Sequence, residues 1–363
     1  MSIGIYIHIP YCVQRCRYCD FTTFEQDKIL PPAEYVDQLL AEIRTRAAWS
    51  PETSVHSIYF GGGTPSLLDP KHIVAIMSEL ANSGFQLVED AEVTIEINPA
   101  TISPSKLDTY LFVGVNRFSV GAQSFDDQLL QVCGRRHSAK ETRETLSLLQ
   151  QHNLNYSFDL LFGLPHQSME QLRRDLDEVC QWKPNHLSAY NLTVPEGHPM
   201  SFNRPTEQRQ VEMFQVIEER LEDMGMQRYE ISNFAIPGYE SRHNLTYWLD
   251  QPYLSFGLSA HSYFPQLENH KYGLRFWNPK DFASYFSQIQ SAPQAPDQLP
   301  QEQFESLKAH EALTDFFHMH LRTHQGLPTD ALHSKFPEWG HIRDNPLERL
   351  KNQGLIREEQ SHM

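Results

Sequence analysis

Hydrophobic and polar residues follow two periods along the first two hundred positions. Short segments alternate with a period of two, as β-strands do, and longer segments repeat apolar residues every three to four positions, as helices do. The pattern predicts strands at residues 2–10, 57–61, 92–98, 116–123, 156–162 and 186–193. It predicts helices at residues 32–49, 71–81, 139–152 and 169–181. This alternation is typical of parallel βαβ units.

Each predicted strand has one polar face. In the first strand the isoleucines at odd positions share one face, whereas Tyr6 and His8 share the other. Later strands place Glu96, Gln123 and Asp159 on polar faces. An ordinary (β/α)8 barrel fills its interior with branched apolar side chains. We therefore predict an α/β fold with a six-stranded open barrel, whose polar interior holds a ligand. A doubly wound open sheet is the alternative.

The pattern changes beyond residue 193. Residues 206–224 predict an amphipathic helix with Val211, Phe214, Ile217 and Leu221 on one face, and residues 229–234 predict a strand. We expect four parts, namely a core barrel (1–240), an aromatic-rich extension of that core (241–290), a linker (291–303) and a C-terminal module (304–363). The C-terminal module is winged-helix-like, with helices predicted at 304–322, 328–336 and 346–353.

Composition limits the partners. The formal net charge is −16, which disfavours nucleic acid and anionic membrane surfaces. From residue 301 onward 7 Lys and Arg stand against 10 Asp and Glu, so a protein-contact or lid role suits the C-terminal module better than DNA binding. The sequence leads us to expect neither a membrane-spanning segment nor a signal peptide. Five cysteines, three of them in one loop, do not form a disulfide framework, so we expect a cytoplasmic location.

Three of the cysteines stand close together after the first strand. Cys12, Cys16 and Cys19 have C-x3-C-x2-C spacing. Thiolates are soft ligands that suit zinc or iron–sulfur iron, and three are one fewer than a structural zinc or a fully thiolate-ligated cluster needs. One alternative is zinc with His8 or a distant histidine as the fourth ligand. The other is a [4Fe–4S] cluster with one iron open to a substrate or cofactor.

A glycine-rich segment follows the second predicted strand. It reads Gly61-Gly62-Gly63-Thr64-Pro65, and glycines let the backbone approach a ligand closely. A tight turn is the alternative for such a segment on its own. No Gly-Lys-Ser/Thr follows, so it is not a phosphate-binding P-loop. Combined with the cysteine spacing, it identifies the chain as a member of the radical S-adenosylmethionine (SAM) superfamily.

Further motifs resemble the coproporphyrinogen III dehydrogenase-like radical SAM proteins over essentially the whole chain. The motifs are Tyr6-Ile-His-Ile-Pro10, Glu96-Ile-Asn-Pro99, Gly114-Val-Asn-Arg117, Gly121-Ala-Gln-Ser-Phe125 and Asp159-Leu-Leu-Phe-Gly-Leu-Pro165. The resemblance implies a partial (β/α)6 barrel in which Cys12, Cys16 and Cys19 ligate a [4Fe–4S] cluster. It implies SAM contacts at Tyr6, Gly62, Gly63, Thr64, Glu96, Gln123, Arg135 and Asp159.

The chemistry of these side chains agrees with that assignment. SAM presents an ammonium and a carboxylate, which Glu96 and Arg135 can receive as charge-assisted partners. Asp159 can accept from ribose hydroxyls, and the Tyr6 ring can face the cation. The alternatives are that the two carboxylates belong to buried ion pairs and that Arg135 is a surface residue.

Two positions separate the branches of this family. The dehydrogenase carries an additional cysteine two positions after the third cluster ligand, where this chain has Phe21. The segment His243-Asn-Leu-Thr-Tyr-Trp248 resembles the H-N-x-x-Y-W motif of the heme-chaperone (HemW-like) branch, where it is associated with heme binding. His243 can ligate heme iron, and Tyr247 and Trp248 offer flat apolar surface for a porphyrin. Ordinary core packing is the alternative for this motif.

The resemblance therefore favours a SAM- and [4Fe–4S]-dependent heme chaperone. Its expected partners are heme and apo-hemoprotein clients, with a homodimer left open. The alternative is an enzyme, an oxygen-independent coproporphyrinogen III dehydrogenase. Family members continue into further strand after the segment equivalent to residues 354–357, so we expect an incomplete wing in the C-terminal module.

Overall fold

The computed structural model describes residues 2–339 and 346–357. In chain order the strands are β1 (Ile3–Ile9), β2 (Tyr11–Cys12), β3 (Phe24–Glu25), β4 (Ser54–Gly62), β5 (Gln86–Ile97), β6 (Arg117–Gln123), β7 (Asn155–Phe162), β8 (His186–Asn191), β9 (Gln227–Arg228), β10 (Asn233–Ala235), β11 (Tyr253–Phe256), β12 (His261–Phe264), β13 (Leu274–Trp277) and β14 (Phe304–Ser306). The helices are α1 (Pro32–Arg46), α2 (Pro70–Asn82), α3 (Pro104–Phe112), α4 (Asp127–Cys133), α5 (Ala139–Gln151), α6 (Met169–Trp182), α7 (Glu207–Glu222), α8 (Arg242–Trp248), α9 (Phe282–Ser291), α10 (Ala309–His320), α11 (Thr329–Lys335) and α12 (Pro346–Asn352). No helix in these ranges has the length and apolarity needed to cross a membrane.

One sheet organises the described chain. Its strand order is β14-β13-β12-β11-β1-β4-β5-β6-β7-β8-β10-β9. The strands from β11 to β8 in this order are parallel, and antiparallel strands extend the sheet at both ends. The six predicted strands are all present, and the parallel set also includes β11, which sequence periodicity did not predict. The fold is the α/β radical SAM fold, with the sheet curled into a partial barrel.

The two faces of the sheet differ as the alternation predicted. Ile3, Ile5, Ile7 and Ile9 are fully buried, and Val93, Phe118 and Phe158 continue the same core beneath the surrounding helices. Burying such side chains stabilises the fold by about 1.5–3 kcal/mol each. The opposite face turns inward and carries the polar side chains. The barrel therefore has a dry outer layer and a polar interior.

Short helices and local turns depart from the predicted elements. Helices α3, α4 and α8 were not predicted. Val211, which the pattern placed on the buried face of α7, is exposed. It lies six positions before the buried Ile217, and with 3.6 residues per turn this spacing turns its side chain away from the buried face. The predicted strand at 229–234 is confirmed only at residues 233 and 234, which belong to β10, whereas residues 229–232 form a bend between β9 and β10.

The C-terminal module joins the sheet directly. The predicted helix at 304–322 begins as strand β14, which pairs with β13, and continues as α10. Helix α11 and helix α12 match the other two predicted helices. The expectation of an incomplete wing after residues 354–357 is not tested, because residues 358–363 lie outside the described residues.

Candidate functional site

A cavity of about 460 Å³ opens at the carboxyl ends of the parallel strands. Parallel strands end at the same edge of a sheet, so side chains near their carboxyl ends converge there. The cavity is lined by the three cysteines and by seven of the eight predicted SAM residues, namely Gly62, Gly63, Thr64, Glu96, Gln123, Arg135 and Asp159. Residues spread over about 150 positions of sequence therefore face one space.

Tyr6 is the predicted SAM residue that the structure does not place on the cavity wall. Its ring lies 6.2 Å from the ring of Tyr59, which does line the cavity. Its hydroxyl pairs with Nδ1 of His8 at 3.0 Å, and Nε2 of His8 pairs with the Thr22 carbonyl at 3.0 Å. Both nitrogens of His8 are engaged, so His8 links β1 to the cysteine loop rather than offering a free ligand atom.

The cysteine loop lies between β2 and β3 and is anchored to the turn after α4. The Arg17 amide donates to the Cys133 carbonyl at 3.0 Å, and the Gln14 side-chain amide donates to the Gly134 carbonyl at 3.1 Å. Gly134 has φ of 73° and terminates α4 in the left-handed conformation that glycine favours. The loop is thereby held over one end of the cavity.

The thiols of this loop fit a metal–sulfur cluster. All three are free of disulfides and face the cavity. Thr64 Oγ1 donates to Cys12 Sγ at 3.8 Å, and Arg135 Nη1 donates to Cys16 Sγ at 3.3 Å. Burial raises the pKa of Cys12 to about 11, so binding iron there displaces a proton. Three thiolates beside a cation suit an anionic cluster with one iron open. Within the described residues no three His, Cys, Asp or Glu side chains form a single-ion site.

The glycine segment has no room for side chains. A Cβ on Gly62 would lie 2.4 Å from the His8 ring, and a Cβ on Gly63 would lie 2.6 Å from the Tyr11 carbonyl oxygen. Gly62 also has φ of 105°, which other residues rarely adopt. Hydrogen bonds from Gly63 N to Ile9 O and from Thr64 N to Tyr11 O, each 2.8 Å, fix the segment against the cysteine loop. Close packing therefore requires glycine at both positions, whether or not a ligand binds there.

Glu96 is the most strongly perturbed carboxyl group on the wall. Its carboxylate accepts from Tyr59 Oη at 2.8 Å and from the Gly62 amide at 3.2 Å. Burial raises the pKa of Glu96 to about 7, and the neighbouring Asp159 adds to the shift, although the Tyr59 hydrogen bond opposes it. Burial also raises the pKa of Asp159. Both groups suit a cationic or hydroxyl-bearing ligand that offsets their desolvation.

Arg135 and Gln123 are positioned by the end of β6. Arg135 donates to the Gly121 carbonyl through Nη2 and to Cys16 Sγ through Nη1. Gln123 has φ of 65°, an uncommon value for a residue with a side chain. Asp175 holds the next two residues, because its carboxylate accepts from Ser124 Oγ at 2.9 Å and from Phe125 N at 2.7 Å. Strained backbone conformations of this kind are concentrated at functional sites.

His243 lies inside the barrel beneath the cavity. It is 1 % exposed, and its Nδ1 and Nε2 pair with Ser57 Oγ at 3.0 Å and Tyr247 Oη at 2.8 Å. Burial lowers its pKa to about 3, so the ring is neutral. Asn244 lines the cavity, whereas His243 does not. Ligation of heme iron by His243 therefore requires one of these hydrogen bonds to break.

Several cavity residues were not singled out from the sequence. Tyr190 and His186 line the wall, as do Arg117 and Asn244, which belong to quoted motifs but received no role from them. Phe21, the position that separates the two branches, also lines it. Two-residue alternation does place Arg117 on the same face as Ser119 and Gln123, so that position could have been found. Strand alternation cannot place Asn244, because this residue of the quoted motif at 243–248 lies on helix α8.

Comparisons with known proteins agree with this arrangement. A sequence model described as "Radical SAM superfamily" matches residues 6–179. "Heme chaperone HemW" of Escherichia coli (strain K12) is 36% identical over 264 residues, which cover 71% of this chain and 69% of that protein. "Heme chaperone HemW" of Mycobacterium tuberculosis (strain ATCC 25618 / H37Rv) is 31% identical over 339 residues, covering 91% and 84%.

A solved structure shares the fold over nearly the full chain. It is the coproporphyrinogen III oxidase HemN of Escherichia coli, described as a radical SAM enzyme. The TM-score is 0.79 with 22% sequence identity, and the match covers 99% of this chain and 85% of that chain. At this identity the likeness concerns the fold alone.

Proposed function

The chain belongs to the HemW heme-chaperone family within the radical SAM superfamily, and on that premise we propose that it binds heme and delivers it to apo-hemoproteins. Membership in the superfamily implies SAM and a [4Fe–4S] cluster as cofactors. The proposal extends to a cytoplasmic location and to a homodimer. Sedimentation of the heme-free and heme-loaded chain tests the homodimer.

The residues around the cavity have defined roles in this proposal. Cys12, Cys16 and Cys19 would hold the cluster. With SAM bound, the cluster would supply an electron to the SAM sulfonium. Glu96 accepts from the SAM ammonium, and Arg135 donates to the SAM carboxylate. Both groups are largely shielded from water, which strengthens such contacts.

The remaining predicted contacts orient SAM along the wall. The Gly62–Thr64 backbone lines the cavity and receives the SAM amino group, as the resemblance implies. Asp159 accepts from ribose hydroxyls, and Gln123 supplies a further polar contact. Tyr6 supports the site from behind Tyr59, through the ring contact described above.

The observation that carries the chaperone proposal is Phe21. Its side chain lines the cavity and is 63 % exposed, at the position where the resemblance places an additional cysteine in the dehydrogenase. A phenyl ring neither ligates iron nor transfers a proton. It offers apolar surface to a flat ligand instead. The fold shared with HemN does not distinguish the two activities.

Two parallel assays test the proposal. Anaerobically reconstituted protein is supplied with SAM, reductant and coproporphyrinogen III, and the mixture is followed for protoporphyrinogen IX. The same preparation is titrated with heme and then mixed with an apo-globin as acceptor. We expect heme binding and transfer without coproporphyrinogen turnover. Turnover without heme binding would establish the dehydrogenase alternative.

A further inference from the structure

The cavity floor lies below the predicted SAM contacts. Glu96 pairs in register with Ser119, and Asp159 pairs with Ser188. One pleat deeper, Arg117 pairs with Thr94 on β5, and His186 pairs with Ser157 on β7. Because all of these strands run from floor to mouth, Arg117 and His186 form a separate layer beneath the SAM contacts.

Arg117 and His186 flank the same serine. Arg117 Nη2 donates to Ser157 Oγ at 3.3 Å, and Ser157 is the strand neighbour of His186. Arg117 is 3 % exposed and His186 is 1 % exposed, and both line the cavity. Two buried side chains that carry hydrogen-bond donors therefore face the same small space.

The His186 ring presents a donor to that space. Tyr229 Oη lies 2.8 Å from His186 Nε2 and accepts from the Ser241 amide at 3.4 Å, so we assign its hydroxyl proton to the bond with Nε2. That assignment leaves the proton of His186 on Nδ1. Burial and the nearby Arg117 charge lower the pKa of His186 well below its usual value, which keeps the ring neutral.

In the described part of the chain neither donor atom makes a hydrogen bond, although Arg117 Nε forms an ion pair with Glu92. Within residues 2–339 and 346–357, Arg117 Nε and His186 Nδ1 are buried without a hydrogen bond. Glu92 is the carboxylate facing Arg117, but its Oε2 is 3.8 Å from Nε. The Glu92 oxygens instead accept from the Arg242 and His243 amides at 3.1 Å each. Buried donors without acceptors destabilise a protein, so an acceptor is expected here.

We propose that Arg117 and His186 form a carboxylate-binding site on the cavity floor, separate from the SAM contacts. A guanidinium matches the geometry of a carboxylate, and a neutral imidazole N–H adds a second donor. Glu96 and Asp159 lie one layer above. Burial raises the pKa of Glu96 to about 7, so this carboxyl group is partly protonated near neutral pH. The carboxylate belongs either to a small free acid or to a heme propionate. The second source rests on the proposed heme-binding function.

The first arm of the test uses acetate, with acetamide as a neutral analogue of the same shape. Binding to the anaerobic full chain is measured by calorimetry, with and without SAM. We expect acetate to bind about tenfold or more tightly than acetamide, because it makes charge-assisted hydrogen bonds. Arg117→Gln and His186→Phe should each weaken acetate binding by about tenfold to a hundredfold. Arg204→Gln, which changes an arginine bonded to Gly163 and Leu192 carbonyls, is the matched control and should have no effect.

A second variant protects the test from misfolding. Arg117→Gln alone leaves Glu92 buried beside a neutral group, so the double change Arg117→Gln with Glu92→Gln removes both charges. The double variant should fold by circular dichroism, retain SAM binding and lose acetate binding. Acetate binding that persists in it would place acetate elsewhere and overturn the proposal.

The second arm identifies the source of the carboxylate. Heme and heme dimethyl ester, whose propionates are neutral, are compared in wild type and in the double variant. A wild-type preference for heme that the double variant loses indicates a propionate, whereas equal binding alongside acetate selectivity indicates a free acid. If heme and its ester both fail to bind, the heme proposal fails and the acetate arm decides alone. If acetate binds no more tightly than acetamide, and heme no more tightly than its dimethyl ester, then water alone forms hydrogen bonds with these donors and the proposal is overturned.

Discussion

At the residue scale, burial sets the protonation of Glu96 on the cavity wall. Tyr59 and the Gly62 amide hold its carboxylate in one orientation. Burial nevertheless raises its pKa to about 7, so part of the population is protonated near neutral pH. A cationic ligand reverses that effect, because it favours the ionised form.

Replacing Glu96 tests this interpretation. Glu96→Ala should weaken SAM binding about ten- to a hundredfold, because a charge-assisted hydrogen bond of roughly 1.5–3 kcal/mol is lost. Cluster content should not change. Glu230→Gln, which alters a buried carboxylate that does not line the cavity, is the control. Unchanged SAM affinity in folded Glu96→Ala protein would mean that another carboxylate receives the ammonium.

The same residue predicts a pH dependence. The pKa of Glu96 is raised above its ordinary value, so the ionised form needed for the SAM ammonium is lost as pH falls through about 7. Asp159, Tyr59 and Arg135 face the same group and contribute to that pKa. SAM affinity measured by calorimetry should fall between pH 8 and pH 6, by at most about tenfold per pH unit for one proton. A flat profile in wild type would contradict this expectation.

At the scale of elements, the cysteine loop and helix α8 approach the barrel interior from opposite ends. The loop is tied to the turn after α4, and α8 begins where Glu92 accepts from two of its amide groups. Anionic groups at helix N-termini are stabilising, so Glu92 fixes α8 against the strands. Its far end contacts the C-terminal module, where the Arg322 guanidinium lies 3.6 Å from the Trp248 ring centre.

The loop predicts the iron content of the protein. Anaerobically reconstituted chain should contain about four irons and four sulfides. Cys12→Ala, Cys16→Ala and Cys19→Ala should each abolish the cluster, because only three thiolates hold it. Cys133→Ala is the control, since that thiol is fully buried and burial raises its pKa to about 12. Stoichiometric zinc in place of iron would contradict the assignment.

Helix α8 predicts a competition for His243. If His243 ligates heme iron, His243→Ala should change the heme absorption spectrum and leave the cluster intact. Tyr247→Phe should strengthen heme binding, because it removes the hydroxyl that occupies Nε2. Partial affinity should survive in His243→Ala through the apolar surface of Tyr247 and Trp248. A heme spectrum and affinity unaltered in His243→Ala would assign ligation to another residue.

At the scale of the whole molecule, a buried charge network joins the barrel to the segments that follow it. Glu42 on α1 accepts from Arg46 and Asn278, both at 2.7 Å. It also accepts from Gly257 N at 2.8 Å and Tyr285 Oη at 2.6 Å. One carboxylate thereby holds the first helix against β11 and α9, which lie more than two hundred residues later in the chain.

Removing this carboxylate should destabilise the fold. Glu42→Ala leaves Arg46 buried without its partner, which should lower the free energy of unfolding by about 3–5 kcal/mol. Glu79→Ala is the matched control. Glu79 on α2 pairs with the exposed Arg44, which lies on α1 as Glu42 does, and such pairs contribute about 0–1 kcal/mol. Urea unfolding followed by circular dichroism measures both. Equal effects would show that the network does not join these parts.

Much of the site could be predicted from the sequence because its signals are local. Cysteine spacing, glycine identity and two-residue alternation depend on neighbours within a few positions, and they identified the three thiols, the glycine segment and the polar faces. The six parallel strands followed from the same periodicity. Short elements such as α4 and β11 carry too few residues for a periodic signal, so they were missed.

Other features exist only once the chain has folded. The sequence motif at His243 predicts a heme ligand, but folding places that imidazole between two hydroxyl groups. One belongs to Ser57, which is distant in sequence, and the other to Tyr247, on the next turn of the helix. Among the described residues, Arg117 Nε and His186 Nδ1 stay unpaired because the neighbouring strands bring no acceptor within hydrogen-bond distance of these two atoms. Sequence alone determined which side chains face inward. Which of them acquire partners, shifted pKa values or an open space was decided by contacts between distant segments, because burial and hydrogen bonding depend on the whole surrounding structure.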